Sequence, residues 1–137
     1  FGHYFALEKT AYLNALRAIS RDGSWGPFCQ FFANAIAHQA QWQLTFAQKL
    51  NTLYQEMLPI FTEVLTRKSA ATVRDFLFKN PVFRNNSFTH NAGIAPATAA
   101  RFTKALVDEG LLQTIEEGSG RRPALYSFEP LVELLRL

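Results

Sequence analysis

The sequence predicts a mainly α-helical chain in which long helices lead into a winged helix-turn-helix with a small β-hairpin wing. Three observations carry that reading. Apolar residues recur every three or four positions through the first half. A short helical segment and a longer one then flank Gly93, a tight-turn residue. Finally, two short strand-like runs bracket the glycine-arginine loop Gly118-Ser119-Gly120-Arg121-Arg122.

Phe5, Tyr12, Leu16 and Ile19 share one face at helical spacing, which predicts a helix over 3–20. Gly23 suits its end, and Ser24 and Pro27 suit the start of the next. Phe31, Phe32, Ala35, Ile36, Trp42, Phe46, Leu50, Leu53 and Met57 predict a long helix to about residue 58. Pro59 is expected to kink or end it, because its ring clashes with the preceding turn. Arg67-Lys68-Ser69 marks the expected boundary between a helical segment, 1–66, and the winged helix-turn-helix domain, 67–137.

Ser69 is expected to cap a helix that Asn80-Pro81 stops. Residues 82–86 read as an extended link, and Ser87 or Phe88 opens the first helix of the pair. Ala95-Pro96 opens the second, which runs to Glu109 and is closed by Gly110. Strands are expected over 111–115 and 124–128. Glu129-Pro130 then begins an amphipathic helix carrying Leu131, Leu134 and Leu135.

Net charge is +3, and the charges cancel up to Thr66, where four cations oppose Glu8, Asp22, Glu56 and Glu63. The excess lies in the C-terminal half, which suits an anionic partner. On the second helix of the pair, Ala99, Phe102 and Leu106 are placed to face the core, so Thr98, Arg101 and Lys104 face outward. Thr98 can bond a phosphate or touch a thymine methyl, Arg101 can reach guanine or phosphate, and Lys104 suits phosphate. Arg121 and Arg122 at the wing tip suit a phosphate or a minor groove. Asp108, Glu109, Glu116 and Glu117 oppose that attraction. The bland alternative makes all five candidates ordinary solvated positions on a protein-binding module.

Reaction chemistry has no visible constellation. His3, His38 and His90 lack metal-ligand spacing, no glycine-rich phosphate loop occurs, and Ser20, Ser24 and Ser119 lack a nucleophile's context. Neither a metal nor a cofactor is expected. Cys29, the single cysteine, sits beside Phe28, Phe31 and Phe32 and is expected to be a buried inert thiol. Trp25 and Trp42 are expected in the core or an interface. No signal peptide and no bilayer-spanning apolar run are visible, so the expected location is cytoplasmic, with no membrane partner. The chain opens on Phe rather than Met, so it is expected to belong to a longer protein.

The run from Tyr12 to Trp25 (YLNALRAISRDGSW), with Phe28, Phe31-Phe32 and Gln39-Ala40, resembles Fic-family proteins (filamentation induced by cAMP). The likeness is to the region after the catalytic motif in bacterial members that end in a winged helix. It extends through Leu77-Phe78-Lys79-Asn80-Pro81, Thr98-Ala99 and the run from Leu106 to Leu112. Fic enzymes usually transfer AMP from ATP to a hydroxyl of a target protein. Their motif, His-Pro-Phe-x-Asp-Gly-Asn-Gly-Arg, is absent here, so no catalytic residue carries over and this chain is not expected to be an enzyme. Phe28 stands where a tryptophan is common, and Ala95 where a capping serine is common.

The resemblance implies a non-catalytic C-terminal part whose winged helix binds DNA or positions a target for a parent AMP-transferase. The alternative is a dimerisation or regulatory protein-interaction module without DNA binding. The expected partners are duplex DNA and, through the aromatic helical face of Phe28, Phe31, Phe32, Trp42 and Phe46, a second copy.

Overall fold

The computed structural model describes residues 2–136. The protein is mainly helical, with a small three-stranded antiparallel sheet. In chain order the elements are α1 (Gly2–Leu7), α2 (Lys9–Asp22), α3 (Gly26–Val64), α4 (Ala70–Lys79), β1 (Val82–Arg84), α5 (Asn85–Ala92), α6 (Pro96–Asp108), β2 (Leu112–Glu116), β3 (Leu125–Phe128) and α7 (Glu129–Leu135). They form two compact units, Phe1–Gln48 and Lys49–Leu137. The divide foreseen at 66/67 compares with this one at 48/49. Met57 and Phe61, late in α3, belong to the core of the second unit.

In the first unit the expected helix over 3–20 is two helices. Glu8, at φ −109° and ψ 34°, separates α1 from α2. The helical hydrogen bonds still run through it, Glu8 to the Tyr4 carbonyl and Tyr12 to the Glu8 carbonyl. Ser24 and Gly23 close α2 by donating to the carbonyls of Ala18 and Ile19. Phe31 is the buried centre here, with the rings of Tyr4, Phe5 and Tyr12 at 5.4, 5.4 and 5.5 Å. Cys29, expected to be buried, is exposed. It stands two residues from Phe31, about 200° round the helix, so burying one exposes the other. Trp25, Phe32, Ile36 and Trp42 are also exposed.

The proline does not end α3: the helix runs from Gly26 through Pro59 to Val64. An interior proline costs a helix about 3 kcal/mol. Phe61, fully buried in the next half-turn, offsets much of that through about 1.5–3 kcal/mol of burial.

In the second unit, Phe61, Val73, Leu77, Phe83, Phe88, Ala99, Phe102, Leu106, Leu112, Phe128 and Leu131 form the core. Phe76, Phe83 and Phe88 meet one another at 5.2–5.7 Å. Residues 82–84, expected as a link, are a strand. β1 pairs antiparallel with β3, Phe83 opposite Tyr126, giving the order β1-β3-β2. The helix expected from Ser87 or Phe88 accordingly starts directly after it, at Asn85. Ser69 precedes α4 but makes no side-chain cap; its backbone N–H instead approaches Thr66 Oγ1 at 3.2 Å.

Candidate nucleic-acid interface

The α5–α6 turn depends on Gly93, whose φ of +65° is the left-handed conformation that only glycine enters without strain. Gly110, at φ +75°, lets the chain leave α6 towards β2, with Leu111 donating to the Leu106 carbonyl. Between them α6 is anchored by buried Ala99, Phe102, Thr103 and Leu106. Thr103 donates to the Ala99 carbonyl at 2.9 Å, and its hydroxyl lies 3.3 Å from Asn85 Oδ1 at the start of α5. That contact joins the paired helices through a polar residue for which the apolar spacing gives no signal.

Anchoring that face leaves Pro96, Ala97, Arg101 and Lys104 exposed and Thr98 half-buried. Arg101 and Lys104, one turn apart, are two cations on one helical face. The Arg101 guanidinium carbon lies 5.7 Å from the Phe102 ring centroid. Ala95 precedes α6 with no side-chain cap, so the first amides of the helix lack the acceptor that a serine would supply.

The β2–β3 loop is closed by a reciprocal pair of backbone hydrogen bonds between Ser119 and Arg122, at 3.0 and 2.9 Å. Its tip is therefore Gly120-Arg121, and Arg121 and Arg122 are both exposed. Below the tip a bulge between Thr114 and Glu116 shifts the strand register. Glu116 pairs with two arginines: Oε2 with Arg84 Nη2 at 2.8 Å, and Oε1 with Arg122 Nη2 at 3.4 Å. Arg84 Nη1 also donates to the Pro123 carbonyl at 3.0 Å. Arg84 is a residue that sequence reasoning misses, since it lies 32 positions from Glu116. Glu117 acts elsewhere: burial, and then the Glu117 charge, hold the Tyr126 phenol above its usual value.

The α6 cations and the loop arginines stand on separate elements, with no hydrogen bond or ion pair joining the two sets among the described residues. Arg121 has no ion pair among them either, whereas Arg122 shares Glu116 with Arg84. The described residues contain no group of three or more His, Cys, Asp or Glu side chains placed to hold a metal. No described helix is long and apolar enough to cross a membrane.

No protein-family model and no curated protein matches this chain.

Proposed function

We propose that the second unit is a winged helix-turn-helix that binds duplex DNA, chiefly through phosphates, with α6 towards the major groove and the β2–β3 loop as the wing. The observation that carries this reading is the exposure of Arg101 and Lys104 on one face of α6 together with that of Arg121 and Arg122 on the loop. Cations on a helix and an adjacent hairpin suit a backbone-led contact, and the small side chains of Pro96 and Ala97 limit direct base reading. The resemblance of the sequence to the Fic C-terminal region extends the proposal: this is a non-catalytic part that serves a parent AMP-transferase by holding DNA or a target.

The test is a fluorescence anisotropy titration with mixed-sequence duplexes at low salt. Binding whose logarithm falls with log salt at a slope near about −3.6, four phosphates, supports it. Absence of binding defeats it.

A second reading has its own support. Trp25, Phe32, Ile36 and Trp42 of the first unit are each between 46% and 59% exposed, apolar surface that favours a dimerisation or regulatory interaction role. Both readings are compatible in one chain, because they use different units.

A further inference from the structure

Glu116 lies between two guanidinium groups rather than facing solvent alone. Arg84, the less exposed of the two arginines, has a second acceptor in the Pro123 carbonyl. Among the described residues Arg122 has Glu116 as its ion-pair partner, at the longer distance of 3.4 Å, and its side chain is 63% exposed. The two contacts therefore differ in kind: Arg84 is fixed across the base of the loop, while Arg122 is free to exchange one anion for another. Resting on the DNA-binding reading above, we propose that Glu116 is a built-in counter-ion that a duplex phosphate displaces from Arg122, so that Glu116 sets the strength of wing binding while Arg84 keeps the loop in place. Arg121, without an ion pair among the described residues, carries no such handicap.

The chemistry is ion exchange with no covalent step. A phosphate binding Arg122 must compete with the carboxylate, and an exposed pair of this kind is worth a modest factor, about two- to fivefold in a binding constant. Register makes the arrangement possible: the bulge between Thr114 and Glu116 shifts β2 so that Glu116 lies opposite Leu125.

The experiment is a double-mutant cycle on the full chain, read by duplex anisotropy. Glu116→Gln should tighten binding about two- to fivefold on every duplex sequence. That gain should vanish in the Arg122→Ala background and persist in the Arg121→Ala background. Glu116→Asp, which keeps the charge but withdraws it by one methylene, should show a smaller gain of the same sign. An equal gain in both arginine backgrounds would mean a general charge effect and overturn the proposal, as would no gain from either Glu116 variant. Should the wild-type chain bind no duplex, the DNA reading falls, and elution from a heparin column tests the counter-ion by itself. Later elution of Glu116→Gln that depends on Arg122 then keeps the ion exchange with a sulfated polyanion, and unchanged elution removes it.

Discussion

The Tyr54 hydroxyl donates a 2.6 Å hydrogen bond to Asp75 Oδ1, joining the end of α3 to α4. Arg74 reinforces the contact: its Nη2 donates to the same hydroxyl at 2.9 Å, and its guanidinium carbon lies 3.8 Å over the Tyr54 ring. The bond to Asp75 is the main reason that the Tyr54 phenol is held above its ordinary value of 10.0. A raised phenol pKa makes the neutral form part of the folded state. The stability it contributes is complete below pH 10 and is lost as pH rises through the raised value. The midpoint of thermal unfolding should therefore fall above pH 10, and fall less steeply in Tyr54→Phe. Identical alkaline profiles for the two proteins would contradict the account.

Tyr126 offers a separate titration. Its phenol is raised first by burial and then by the negative charge of Glu117. Glu117→Gln should lower it towards 10 without abolishing the shift, because the burial remains. Absorbance at about 295 nm, where tyrosinate absorbs, measures the change against Tyr126→Phe as the blank. A Tyr126 curve that ignores Glu117 would remove the charge contribution.

Pro59 and Phe61 make opposed contributions to one stretch of helix. Phe61→Ala should cost about 3–5 kcal/mol, because a fully buried ring leaves a cavity. Pro59→Ala should stabilise by about 1–2 kcal/mol, restoring a backbone donor at an exposed position, less the added freedom of the unfolded chain. Chemical denaturation followed by far-UV circular dichroism gives both values. Destabilisation by Pro59→Ala would show that the proline fits its turn better than an alanine does.

On DNA, replacing both Arg121 and Arg122 by Ala should weaken binding to all sequences alike and reduce the salt slope by about 2. Arg101→Ala should instead change sequence preference, if the guanidinium reaches a base edge. Salt-dependent anisotropy on several duplexes separates the two effects. An unchanged slope in the double variant would move the interface to other residues and favour the protein-interaction reading.

Self-association is expected through the first unit. Phe32 and Trp42 are each 46% exposed, and Trp42 stacks on Phe46 with centroids 5.6 Å apart. Sedimentation velocity should show a concentration-dependent increase in mass that Phe32→Ser with Trp42→Gln abolishes. A monomer at all concentrations would end that reading.

Signals that act within a turn or two of chain were legible in the sequence. Asn80-Pro81 ends α4, Gly93 makes the α5–α6 turn, Pro96 opens α6 and Gly110 lets the chain leave it, each through a local backbone constraint. Helical spacing likewise put Ala99, Phe102 and Leu106 inside and Arg101 and Lys104 outside, and composition placed two arginines in an exposed loop. Tertiary structure decided the rest. β1 is three residues long and is a strand only because β3, more than forty positions later, supplies its hydrogen-bond partners. α3 continues through Pro59, where burial of Phe61 offsets much of the cost of a local breaker. Cys29 and Trp42 lie on apolar stretches of sequence yet face outward, since neighbours elsewhere in the fold choose which side of a helix is covered. Glu116, which by sequence alone only opposes an anionic partner, is paired with Arg84 and Arg122. Backbone preferences act between adjacent residues, whereas burial and ion pairing depend on which distant residues the fold brings within a few ångströms.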